Sequence, residues 1–184
     1  MSAGCTKTEK QTTRNIAEVS VLPETAYSSE PSDSNVEDTV APAAQEFTIY
    51  QPDEDAQYLI PATVQGIKTP EGIIKTLIDR QILPEGTEIS KILFKANGEY
   101  ISYEDGLASE PEQKTAELDL SGAFLDAMKQ AGSAGETMMM GCIVNSLAEN
   151  FHLQSVLITA NGEIIETGHC IYDEPISFYE DLVK

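Results

Sequence analysis

The sequence contains no tryptophan, two histidines, three cysteines, and 11 basic residues against 31 acidic ones. Each scarcity removes a class of function. A net charge of −20 repels phosphate backbones, so nucleic acid is not an expected partner. The same charge disfavours direct adsorption to an anionic leaflet. No apolar run approaches the roughly 18 residues of a spanning helix. His152 and His169 stand at no metal-ligand spacing from each other or from a cysteine pair, so no metal site is expected. No G-x-S-x-G, phosphate loop or G-x-G-x-x-G occurs, and the histidines and cysteines offer no nucleophile–base pair. The chain is therefore read as a non-enzyme, with no catalytic residues and no cofactor.

Cys142 lies among Met140, Ile143 and Val144 and reads as a small buried apolar residue. Cys170 falls in the last strand region. In an exported protein these two could pair or remain separate thiols, and the sequence leaves both open. Neither has the basic neighbours that a reactive thiolate needs. Asp53-Glu54-Asp55 lacks the spacing and the glycine of a calcium loop, and reads as a solvated acidic turn. In Met138-Met139-Met140, Met140 belongs to the core, while the other two fill gaps or form an adaptable contact surface.

The 184 residues leave room for one domain and an appendage. Residues 1–45 form the appendage. From residue 6 onward it is rich in Thr, Ser, Glu, Pro and Ala without apolar periodicity, which predicts a disordered, self-repelling tether. Its reach is on the order of 35–40 Å. Residues 46–184 form the domain. Glu46–Tyr50 alternates as a strand, and Tyr58–Val64 is a second one, given an edge position by Pro61. Thr69-Pro70 starts a helix over 70–81 with Ile73, Ile74, Leu77 and Ile78 on one face. Asn97-Gly98 and Asn161-Gly162 each sit between apolar runs and predict type I′ hairpins. The first hairpin is followed by an irregular acidic loop, Asp105–Gln113, and then by a strand, Thr115–Leu120.

Ser121 caps a short helix that buries Phe124, Leu125 and Met128. Ser133-Ala134-Gly135-Glu136 fits a capping box for the next helix, whose stripe is Met140, Ile143, Val144 and Leu147. Asn145 interrupts this apolar segment, and its amide is expected to satisfy backbone groups near the Leu118–Ser121 strand end. The segment after Cys170 reads as a closing strand or arm. Ile92–Glu99 echoes Val156–Glu163: either two helix–hairpin units pack around one mixed sheet, or the two Asn-Gly turns are alike by convergence.

Several stretches resemble, in order, the GerMN domain of bacterial sporulation and spore-germination lipoproteins. They are Phe47–Asp55, Leu83-Pro84-Glu85-Gly86-Thr87, Glu117-Leu118-Asp119-Leu120-Ser121, Ile143-Val144-Asn145-Ser146-Leu147 and Ile158–Glu163. Leu118 stands where the family usually has Val, and Ser146 where it usually has Thr. The resemblance covers about residues 46–170. It implies an α+β fold: a single compact domain, a mixed sheet packed by two or three helices, similar to ring-building modules. Asp119, Leu120, Ser121, Asn145 and Gly162 carry the structural motif.

Ser2-Ala3-Gly4-Cys5 resembles the end of a bacterial lipobox, with Cys5 as the lipidated residue. Together these resemblances imply an extracytoplasmic lipoprotein touching the membrane only through its lipid. It would act by protein–protein assembly with other envelope or sporulation proteins, open to oligomerisation through sheet edges. The alternative is a lipoprotein that binds a small ligand or the cell wall. That role calls for an aromatic-lined cleft, and seven Tyr and five Phe without Trp give it little support.

Overall fold

The computed structural model describes residues 43–110 and 113–184; Cys5 and the proposed tether up to residue 42 lie outside them. β1 (Gln45–Pro52) pairs antiparallel with β2 (Leu59–Gly66), placing Tyr50 opposite Pro61, and the two form a small sheet of their own. The acidic turn between them is tied by the Asp53 carboxylate, which accepts from the backbone N–H of Gln57 (2.8 Å) and of Tyr58 (3.2 Å). These bonds hold the Asp53 carboxyl below the usual aspartate range. α1 (Pro70–Asp79) starts as its sequence predicts: the Thr69 hydroxyl accepts from Gly72 N–H at 3.1 Å, and Pro70 opens the first turn.

The second sheet has seven strands and is mixed. β3 (Ile89–Ala96), β4 (Glu99–Ile101), β5 (Lys114–Leu120), β6 (Leu153–Ala160), β7 (Glu163–Glu166) and β8 (Ile171–Tyr172) lie in the order β4-β3-β5-β6-β7-β8. β9 (Ile176–Ser177) also pairs with β6. Only β5 and β6 run parallel, and a parallel pair needs a crossover connection. α3 (Gly122–Phe151) supplies it. Both Asn-Gly turns have the two positive φ angles of a I′ turn: 53° and 83° at Asn97-Gly98, 53° and 75° at Asn161-Gly162.

The expected acidic loop after Ile101 instead begins with a short helix, α2 (Tyr103–Leu107). Ser102 caps it by accepting from Asp105 N–H at 3.1 Å. Gly106 lies so close to Phe94 that a Cβ there would overlap the ring. Lys114, fully buried at the start of β5, donates to the carbonyls of Gly106 (2.9 Å) and Ala108, and burial pushes its pKa below the usual lysine range.

α3 is two helical segments meeting at Gly132, whose φ of 67° and ψ of 168° leave helical space. The break falls where two helices were expected. The capping box at Ser133 is not made, because Glu136 turns inward and accepts from Thr167 Oγ1 (3.0 Å) and Tyr172 Oη (3.3 Å). From Met140 to Ala148 every residue is buried, so the single apolar stripe read from sequence becomes burial on all faces. The second cover is the β1–β2 sheet. It comes so close that a Cβ on Gly141 would sit 2.7 Å from Leu59 Cδ1.

Such a helix can carry polar side chains only if each finds a partner. Ser146 Oγ accepts from Tyr50 N–H at 2.9 Å. The Asn150 amide accepts from Thr48 N–H at 3.3 Å and donates to Thr48 O at 2.6 Å. The inner edge of β1 is thus paired with helix side chains instead of a third strand. Replacing Ser146 by alanine would leave the Tyr50 N–H buried without an acceptor. Ser146→Ala is expected to lower unfolding free energy by about 1–3 kcal/mol in urea titration, with the native sheet content retained.

Candidate functional site

Three motif stretches that are far apart in sequence meet at one end of the large sheet. β5 ends in Asp119-Leu120-Ser121. Asp119 Oδ1 accepts from Thr159 Oγ1 (2.8 Å) and from Gly162 N–H (2.7 Å), and Leu120 O accepts from Asn161 N–H (2.9 Å). The turn after β6 is therefore pinned to the end of β5. Ser121 reaches the other way. Its hydroxyl donates to Gly86 O (2.7 Å) and accepts from Glu88 N–H (3.1 Å), while its own N–H donates to Glu88 O (2.9 Å). Ser121 occupies the N-cap position of α3, but its side chain makes no capping bond, because the Pro84–Glu88 loop has claimed it. Gly86, at φ 82°, lets that loop turn.

The structure thus brings Asp119, Leu120, Ser121 and Gly162 together. Asn145 stands apart, in the second segment of α3 beyond the break at Gly132. Its Oδ1 accepts from Tyr179 N–H at 2.8 Å instead of serving the β5 end. Cys5 lies outside the described residues.

Beside this end runs an open groove of about 760 Å³ between the end of α1, the Gln81–Glu85 loop and the first half of α3. Ile78, Ile82, Leu83, Ala127 and Met139 form its walls, and Glu85 and Asp126 stand on its rim. It offers apolar contact and acidic flanks, and no acid–base pair converges in it. Among the described residues no group of three or more His, Cys, Asp or Glu side chains could hold a metal ion. Cys142 and Cys170 are both free; Cys142 is buried, which pushes its thiol up to about 12, and Cys170 is exposed.

The face of the large sheet turned away from α3 carries Lys91 and Lys95 on β3, with Glu117 and Asp119 opposite on β5. Lys95 pairs with Glu117 and lies 4.5 Å from the centre of the Tyr100 ring. The bond to Lys95 pulls the Glu117 carboxyl below the usual glutamate range, and the same contact raises the Lys95 ammonium.

The sheet edges offer little to a partner strand. β4 has three residues and β8 two. On β1, Thr48 and Tyr50 turn their N–H groups toward α3, so the antiparallel alternation points the backbone groups of Pro61, Thr63 and Gln65 on β2 outward. Pro61 has no N–H to give, and Leu59 O is already taken by Lys184 N–H at 3.2 Å.

Sequence reasoning gave no partner to Ser146, Asn150 or Lys114, and assigned Glu136 to a capping box. The signal available for the first two was polar residues four apart, at Cys142–Ser146–Asn150 spacing, inside an apolar helical run.

Asp119→Ala removes the acceptor of two bonds at the motif end and is expected to cost about 1.5–3 kcal/mol in a thermal or urea melt; Asp119→Asn, which keeps one oxygen, costs less. The Glu117 contribution, from a lowered pKa, is complete above the usual glutamate pKa and is lost as pH falls through the lowered value. The Lys95 contribution, from a raised pKa, is complete below the usual lysine pKa and is lost as pH rises through the raised value. Glu117→Gln should therefore flatten both the acid limb and the alkaline limb of the stability–pH profile.

Comparison with known proteins places these stretches in context. A comparison with curated proteins returns no match. Among solved structures, the tandem GerMN domains of the sporulation protein GerM from Bacillus subtilis are similar at 19% identity and a TM-score of 0.44, over 74% of this chain and 45% of that one. The chain therefore spans less than half the length of the tandem structure. A Clostridium perfringens protein designated a lipoprotein is similar at 15% identity and a TM-score of 0.39, over 78% of this chain and 95% of that one. The family model for Germane, sporulation and spore germination, matches residues 25–166. With that match covering most of its length and holding all three stretches of the motif end, the chain belongs to the Germane family of sporulation and spore-germination proteins.

Proposed function

We propose that this chain is an extracytoplasmic interaction module, anchored through a lipid on Cys5, that works by protein–protein assembly at the cell envelope during sporulation or germination. The observation that carries this reading is how the motif residues use their polar groups. Asp119 and Ser121 direct theirs at neighbouring backbone and at Thr159, which makes a rigid platform. Beside the platform lies an open apolar groove with acidic flanks, suited to receive side chains of a partner.

The guarded sheet edges move the interface from the edges, where the family resemblance puts it, to this groove. GerM carries tandem GerMN domains, and this chain spans less than half of that arrangement. On this reading its partners are other envelope or sporulation proteins, or further copies of itself. A small-ligand or wall-binding role is less well supported, since the groove walls are aliphatic and not aromatic.

Two measurements test the reading in the source cells. Cys5→Ala should shift the protein from the membrane to the soluble fraction. A photo-crosslinker placed at Gln130, on the groove rim, should capture an envelope protein, and Ala127→Trp, which fills the groove, should cut that capture by about tenfold or more without unfolding the domain. Membrane retention of Cys5→Ala, or capture indifferent to Ala127→Trp, would overturn it.

A further inference from the structure

The C-terminal segment Ile171–Lys184 crosses from the large sheet to the β1–β2 sheet. Ile171 and Tyr172 pair with β7, and Ile176 and Ser177 pair with β6 at Val156 and Ser155. The Phe178 ring stands edge-on to Tyr50, 5.4 Å between centroids. Tyr179 N–H reaches Asn145, and Val183 bridges to Leu59. Beneath it lie residues that are almost wholly enclosed: Tyr50, Leu59, Asn145 and Val156. Yet none of its own fourteen residues is buried. Six apolar residues of the strap, Tyr172, Ile176, Phe178, Tyr179, Leu182 and Val183, pack half-buried against this core; a strap left partly exposed along its whole length is held less firmly than the residues it covers.

Two further features mark the strap as a poor fit. Asn150 and Asn145 both present a side-chain amide from α3 to an extended segment. Asn150 bonds to both the N–H and the C=O of Thr48. Asn145 receives only the Tyr179 N–H; its Nδ2 is buried and has no hydrogen-bond partner among the described residues. The side chain that receives the strap therefore keeps an unused buried donor. The strap also carries Asp173, Glu174, Glu180 and Asp181 against one cation, Lys184, in a chain whose net charge is −20. Like charge loosens it.

We propose that the strap is a self-supplied stand-in, and that the slot on β6 and α3 is a docking site for an extended, basic segment of another protein. Such a segment pairs with the β6 edge at Ser155–Val156. It sets a large apolar side chain against Tyr50 in place of Phe178, and it offers Asn145 a carbonyl as well as an N–H. Its positive charge meets the acidic field that repels the strap. The site rests on the interaction reading only for where the segment comes from.

The test uses the purified full-length chain. By hydrogen exchange, the Ser177 and Tyr179 amides should exchange about tenfold or more faster than the Val156 and Ile158 amides of β6. Two synthetic peptides spanning Ile171–Lys184 then serve as probes: the native sequence, and one with Asp173→Asn, Glu174→Gln, Glu180→Gln and Asp181→Asn. The neutralised peptide should bind about tenfold tighter or more, with the gap closing at high salt, and should shift the Asn145 side-chain amide resonance. A full-length Ile176→Ala/Phe178→Ala variant, in which the strap competes less, should bind both peptides more tightly than the unaltered chain.

Strap amides as slow as those of β6 would overturn the proposal, and so would equal affinity for the two peptides or no binding of either. Should the double variant not fold, exchange and peptide binding on the unaltered chain decide alone. Failure of these measurements with capture at the groove intact would reject the slot and leave the assembly role standing. Loss of capture with peptide binding intact would do the reverse.

Discussion

The fold depends on a helix with no exposed face. From Met140 to Ala148 α3 is enclosed by β6 on one flank and the β1–β2 sheet on another, so its polar atoms look to protein for partners, and among them Asn145 Nδ2 finds none. Ser146 and Asn150 answer the inner edge of β1, and Asn145 answers the C-terminal strap. The helix side chains thereby act as ladder rungs for segments 34 to 102 residues away. Without them the two-stranded sheet would have an unpaired inner edge against an apolar surface, and a lone hairpin of that kind has little stability of its own.

The other end of the domain is organised by opposite means. There the backbone turns are exposed, and short polar side chains at the end of β5 reach out to fix them. Asp119 holds one turn and Ser121 another, one on each side of Leu120, which is fully buried. Alternation along a strand explains the arrangement: Asp119 lies on the solvent face, Leu120 points into the core, and Ser121 begins the exit toward α3. The two ends are joined by the two helical segments of α3, which meet at Gly132.

Much of the fold was legible because its signals were local. Thr69-Pro70, the two Asn-Gly turns and the alternation of β1 and β5 each encode their geometry within a few residues. The helix break near Ser133 was legible too, although the residue that makes it is Gly132. What was not legible depended on distant neighbours. A stripe of Met140, Ile143, Val144 and Leu147 implies one covered face; that Gly141, Cys142 and Ser146 are covered as well follows only from β1 and β2, which precede them by about ninety residues. Ser121 and Glu136 have the right spacing for caps, yet the Gly86–Glu88 backbone and the Thr167–Tyr172 segment offer them tertiary partners, and those win. α2 is too short to show periodicity. The five motif positions could be picked out, but which of them meet in space could not, and Asn145 was sent to the wrong end.

The placement of β1 sets the order in which this domain can form as it is made or exported. β1 and β2 emerge first, but the groups that satisfy the inner edge of β1 stand at sequence separations of 96 and 102. Until residue 150 has emerged, Phe47, Ile49 and Leu59 have no helix to rest on and the hairpin exposes an apolar face. Such delay is the general cost of non-local contacts. The strap comes last of all and closes over a domain already assembled. β1 and β2 therefore wait longest for their partners, and a chaperone that keeps them apart from other chains would matter most during that interval.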